Sequence, residues 1–348
     1  MSLTSKFTNY FRAHPLVVLL LLSPGIPEYI SSSSPINSII LNPAMFVFQV
    51  VANLGLYGPG VILIREAHVR WKKGWATVLI LGAAYGILEE GVGLSTLYNP
   101  LANPVGKLGF YGHYLGVNWV WVAGILPVHM IFSISLPILL LGLAYPETNG
   151  KSLVTTKRKI AATFAILAAD VSILFLVILR TAHFWMGWPI FVSSFVAIGL
   201  LVAMAKRAPR DLLRAKTESP KAGARKTGFV GALFYTSVIL TEFVGMGAHV
   251  PAAIDFFLVI AVQAAFLLIV LNHVGSKDNE RQLISLAFGL VLPIAAIGLI
   301  AEAKLPLIVV VDALFGIFIW KLFKKYSSKG PKAIESYIDA TKSQPNST

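Results

Sequence analysis

Cysteine is missing from all 348 residues. Disulfides, thiolate-held metals and cysteine nucleophiles are therefore excluded. Charge is scarce as well. Asp, Glu, Lys and Arg make up 13% of the chain, against about 25% in soluble domains. Acids are the rarer sign, 16 against 29 basic residues, so an acid inside an apolar run needs a reason. The chain has no phosphate-cradling G-x-x-x-x-G-K-[ST] loop, no G-x-G-x-x-G and no G-x-S-x-G elbow. The usual signatures of nucleotide binding and of serine hydrolases are thus absent. No two histidines stand four apart, as helical metal ligands do. Neither a metal nor a cofactor is expected.

What is present is apolar. Hydrophobic residues make up 56%, and the mean hydropathy is +0.74. Ten apolar segments approach the roughly 20 residues a membrane crossing needs: 15–33, 44–65, 75–98, 118–144, 159–181, 188–205, 229–247, 251–272, 282–302 and 305–323. The expected fold is all-α, a polytopic transmembrane bundle of about ten spans. The first segment holds Pro24, Gly25 and Pro27 before four serines. It reads as a broken or re-entrant helix and, despite Lys6 and Arg12 ahead of it, as an uncleaved first span. Helices 1 to 6 with the candidate site occupy 1–205, a basic linker 206–228, and helices 7 to 10 occupy 229–323. A polar tail, expected to be disordered, covers 324–348.

The net charge of +13 superficially suggests nucleic acid. Its distribution does not, because the basic residues lie in short stretches between apolar runs. With ten crossings, all but Lys107, Arg180 and Lys304 of the 29 Lys and Arg fall on one side. By the positive-inside rule that side is cytoplasmic, which puts both termini in the cytoplasm and the chain in the cell membrane. The expected partners are the bilayer, anionic headgroups at the basic face, and a membrane peptide or small-molecule substrate.

The most informative pair is Glu89-Glu90, inside WATVLILGAAYGILEEGVGLSTLY. A carboxylate in hydrocarbon costs a few kcal/mol or more unless paired, hydrated or protonated. On a helical projection Gly82, Gly86, Glu89 and Gly93 share one stripe, with Glu90 at its edge. Small residues at that spacing let another backbone approach, so the glutamates face into the bundle. In the next span Asn118, Ile125, His129 and Ser133 align. An antiparallel pairing of the two spans brings His129 to the glutamates. Glu28, Asp170, Glu242 and Asp312 are further acids within apolar segments, and together with Asn118 and Ser133 they are assigned to a substrate or proton path. Asp255, His249 and Glu302 read as loop-end residues at the water, and Arg65-Glu66 as an ion pair at a span end.

Glu-Glu in one span with His in the next resembles the CAAX-protease and bacteriocin-processing superfamily of intramembrane proteases. Its pattern is Glu-Glu-x-x-x-Arg, then Phe-x-x-x-His, then His-x-x-x-Asn/Asp. Here Glu89 and Glu90 match the pair, His129 fits the second motif with Ile125 in place of the aromatic, and His183 fills the third. Leu94 stands at the arginine position, and Gly187 follows His183 where Asn or Asp is the family residue. The resemblance implies a protease in which Glu89, Glu90, His129 and His183 activate water for peptide cleavage. Segments such as YGPGVILIRE and AYGILEEG also resemble a prokaryotic polytopic membrane family to which no activity attaches. A proton- or ion-coupled transporter is the rival reading, because a broken first helix and scattered intramembrane acids suit it. A non-catalytic membrane assembly protein is the third.

Overall fold

A computed structural model describes residues 10–327 except 12 and 278. The polar tail lies almost wholly outside the described residues. The described part is an all-α bundle with one two-residue hairpin, β1 (His113–Tyr114) and β2 (Val117–Asn118), in an interhelical loop. Among the described residues eight helices are long and apolar enough to cross a membrane. They are α3 (Pro43–Arg70), Trp75–Gly93, Trp119–Ala144, α7 (Lys157–Thr181), α8 (Trp188–Arg207), α9 (Ala224–Gly247), α10 (Ala252–His273) and α11 (Glu280–Ala301). The first and last expected spans are also helical. Pro15–Ile30 is shorter, and α12 (Ile308–Ser327) carries Asp312 and three lysines. The architecture fits a multi-pass membrane protein.

Three helices change pitch midway. Helix α1 (Pro15–Pro24) widens into a π-helical turn at Gly25–Ile30 and then breaks, before a short α2 (Ser38–Leu41). Helix α4 (Trp75–Gly86) widens at Ile87–Gly93, and α5 (Trp119–Val128) widens at His129–Ser135 before resuming as α6 (Leu136–Ala144). Proline explains part of this. Pro137 has no N–H to offer the preceding turn, and the carbonyl of Ser133 instead accepts from Ser23 Oγ at 2.7 Å. Pro127 likewise leaves the Ala123 carbonyl to Gln263 Nε2, also at 2.7 Å. Both carbonyls freed by these two prolines are therefore answered by a polar side chain of another helix, as a non-aqueous interior requires.

Glycines set the closest approaches. A Cβ on Gly82 would lie 2.8 Å from Met130 Cα, and one on Gly86 would lie 3.3 Å from His129 Cβ. The stripe in the third span thus meets the fourth at His129. Helices α9 and α11 cross through Gly228, Gly231 and Gly289, where an added Cβ would collide with the facing backbone.

The basic stretches gather at one end. Arg65 Nη2 donates to the carbonyls of Thr148 (2.7 Å) and Lys151 (3.1 Å). Lys73 Nζ reaches Ala208 O, and Lys325 Nζ reaches Leu143 O. Arg65 and Glu66 form a buried pair at 3.1 Å, and Glu66 also takes Arg70 Nε and the Leu153 N–H. This network pins the 145–154 turn, as an ion pair at a span end should. The 206–228 stretch, whose composition suggests a loose linker, is tied to the α10–α11 turn. Lys216 N donates to Leu271 O, and Ser276 N to Glu218 O.

Candidate functional site

The three π-helical turns converge in the core, and each brings polar side chains. The first brings Glu28, the second Glu89 and Glu90, the third His129 and Ser133. Contiguous residues of an α-helix diverge by about 100°, yet both glutamates reach one imidazole. Glu90 Oε1 lies 2.9 Å from His129 Nε2, and Glu89 Oε2 lies 3.1 Å from Nδ1. Exposure is 1% for Glu89, 7% for Glu90 and 2% for His129.

The two glutamates are held differently. Glu90 is buttressed: the Thr96 hydroxyl donates to its Oε2, and Trp121 Nε1 donates to Thr96 Oγ1 at 3.4 Å. In the neutral tautomer whose Nε2–H donates to Glu90, Nδ1 is the acceptor and takes the Ser133 hydroxyl at 3.2 Å. Glu89 Oε2 then faces another acceptor and has no hydrogen bond. A proton placed between Glu89 and His129 would satisfy both, which makes this the reactive side of the ring. The Tyr85 hydroxyl, also buried and without a hydrogen bond, stands beside Glu89.

Aromatic rings enclose the imidazole. Tyr57 lies parallel to it at 6.3 Å between centroids, and Tyr85 meets its edge at 6.0 Å. Tyr57 Oη donates to Glu28 Oε1 at 2.6 Å, and Ser34 Oγ donates to Glu28 Oε2 at 2.8 Å. Glu28 is therefore next to the cluster but fully bonded. Asp170 of α7 is half-buried, lies against Gly55, and has an Oδ2 without a partner. The sequence singled out neither tyrosine. The only signal was a Tyr beside Gly in each of two spans, Tyr57-Gly58 and Tyr85-Gly86.

Other expected site residues lie elsewhere. Asn118 caps α5: its Oδ1 accepts from Trp121 N at 3.0 Å, and its amide donates to Leu108 O at 2.6 Å. It shapes the loop and does not share the His129 surroundings. His183 sits at an exposed left-handed turn position, φ 50°, between α7 and α8. Among the described residues no ion pair joins it to the glutamates. Asp312 faces a cleft lined by Ile30, Val291 and Phe315, with both oxygens unpartnered. Glu242 is buried against Gly124, away from His129. Glu302 is not at the water: it is 1% exposed and accepts from Ser32 Oγ and the N–H groups of Ile36 and Asn37. It fastens the broken first segment.

Spacing gives no sign of a metal, yet one ligand atom each from Glu89, Glu90 and His129 lies within 4.8 Å of the others. That spread suits a divalent cation, although the two glutamates address opposite edges of the ring and only one nitrogen could ligate. The donor set fits a proton relay at least as well. No family model, no curated protein and no solved structure matches this chain.

Proposed function

We propose that the chain is an intramembrane hydrolase of the glutamate/histidine type, cleaving a peptide bond within or beside the bilayer. The observation that carries this reading is the asymmetric seating of His129. One edge is fixed by the buttressed Glu90, and the other is open to Glu89, whose Oε2 has no hydrogen bond. Such an arrangement separates roles. Glu90 orients the imidazole. Glu89 takes the proton of an attacking water. His129 stabilises the developing oxyanion or returns the proton to the leaving amine. The Tyr85 hydroxyl supplies a second donor to the tetrahedral oxygen. The water oxygen bonds to the acyl carbon as the C–N bond breaks, one of its protons passes to the leaving amine and the other stays with the new carboxylic acid, so no redox partner is needed. His183 has no part in this scheme.

Coupled transport is the second reading. Its support is the convergence of one broken and two π-widened helices beside buried acids that include Glu28, a pattern akin to the interrupted helices that transporters use near the midplane. One experiment separates the two. Purified full-length protein in proteoliposomes is mixed with single-span peptides, and the products are examined by mass spectrometry. Internal cleavage lost in Glu89→Gln and His129→Ala supports the hydrolase. Absence of cleavage together with a Glu89-dependent proton flux would replace it with the transporter.

A further inference from the structure

The His129 cluster is closed. None of Glu89, Glu90 and His129 is more than 7% exposed, so water and substrate reach it only when part of the chain moves aside. The basic end is pinned, because Arg65 and Glu66 hold the 145–154 turn there. The opposite end carries the broken first segment. Its widened turn, Gly25–Ile30, packs directly against the His129–Ser135 turn. The chain then runs without helix through residues 31–37 before α2.

Two carboxyl groups fasten that stretch. On the inner side Glu28 accepts from Tyr57 Oη and Ser34 Oγ, and Ser34 Oγ accepts from Asn53 Nδ2 at 2.9 Å. On the outer side Glu302, just past α11, accepts from Ser32 Oγ and the Ile36 N–H at 2.9 Å each, and from the Asn37 N–H at 3.0 Å. Ser32 is left-handed, with φ 63°. A residue with a Cβ keeps that conformation only where its surroundings impose it, and the Glu302 carboxyl is the group bonded to it. Residues 31–34 are all serine, so no large apolar side chain anchors them. The hold on this stretch is polar, local and concentrated on one buried acid.

We infer that residues 31–37 are a gate to the His129 cluster, opening at the end away from the basic loops, with Glu302 as its latch. The inference rests on that cluster being the reaction site, and it adds the side of entry. Substrates are then peptide segments that emerge at the membrane face opposite the basic loops. Glu302 touches no reacting atom and is a positioning residue. Tyr57 lies over one face of the imidazole and is bonded to Glu28 of the same broken segment. Release of the latch and uncovering of His129 therefore go together.

The absence of native cysteine allows a direct test with an impermeant methanethiosulfonate. Ser34→Cys, at a position 5% exposed, should react slowly, and from the membrane face opposite the one that labels Ser219→Cys. Adding Glu302→Ala should speed the reaction by more than about tenfold, as loss of charge-assisted hydrogen bonds shifts a local opening equilibrium. Glu302→Gln, which keeps an acceptor oxygen, should give a smaller increase. Thr148→Cys, equally buried at the basic end, should keep its rate in the Glu302→Ala background, which separates gate opening from general loosening. Latch-dependent labelling without any peptide cleavage would leave the gate standing and sink the hydrolase reading. Three results would overturn the gate: a Ser34→Cys rate unchanged by Glu302→Ala, labelling of Ser34→Cys from the Ser219 face, or an equal rise at Thr148→Cys.

Discussion

Glu89 and Glu90 are chemically identical neighbours, and only their partners distinguish them. On the proposed hydrolase reading, Glu89→Gln removes the base and leaves the Glu90–His129 contact in place. Hydrolysis should fall by about 10²–10⁴-fold, the usual contribution of a positioned base, with little change in melting. Glu90→Gln should cost both activity and stability, because a charged hydrogen bond of about 1.5–3 kcal/mol is lost in the core. Thr96→Val should reproduce a fraction of the Glu90 effect through the lost hydroxyl contact. Paired activity and thermal-melt measurements on the three variants check this. A Glu89→Gln protein that is both active and less stable would exchange the two roles. At this scale the sequence was legible in part. Glu89, Glu90, His129 and Ser133 were readable from the helical projections of two consecutive spans. Asn118 was misplaced because the projection ran a straight helix through a residue that caps one. Asp255 and Glu302 look like loop-end residues in the sequence, and only the packed chain shows them buried.

The helices explain why those side chains meet. Gly82 and Gly86 allow α4 to lie against the His129–Ser135 turn. Gly82→Ala has backbone to displace, and overpacking of this kind typically costs about 1–3 kcal/mol. It should lower stability and activity together, read by melting and by turnover. The π-helical turns matter in another way. Deleting Val92 would remove one residue from the widened turn and rotate its two flanking segments by about 100° relative to each other. Circular dichroism should show unchanged helix content while hydrolysis is lost. Retained hydrolysis would mean that the wide turn is dispensable. Hydropathy and glycine spacing made the span pairing legible, but a single extra residue per turn leaves no periodic trace. Tyr57 and Tyr85 were missed for a related reason. Their partners, Glu28 and Glu89, acquire meaning only when helices distant in sequence pack.

Over the whole molecule, the basic loops share one end and the broken first segment, the β-hairpin loop and the Ala248–Pro251 turn share the other. By the positive-inside rule the basic end is expected on the cytoplasmic side of a bilayer. The chain has no native cysteine, so a Ser219→Cys variant reports on one exposed position of the 206–228 stretch. An impermeant maleimide should label it in inverted vesicles and not in intact cells. Labelling in intact cells would reverse the orientation.

The central claim is that Glu89, Glu90 and His129 act as one unit. A cycle of single, double and triple variants, with hydrolysis of one membrane peptide as the readout, tests it most directly. Residues that form a single catalytic device are strongly non-additive. The triple variant Glu89→Gln/Glu90→Gln/His129→Ala is expected to be no slower than the slowest single variant. Losses that multiply across the three positions would contradict it, because the residues would then be contributing separately.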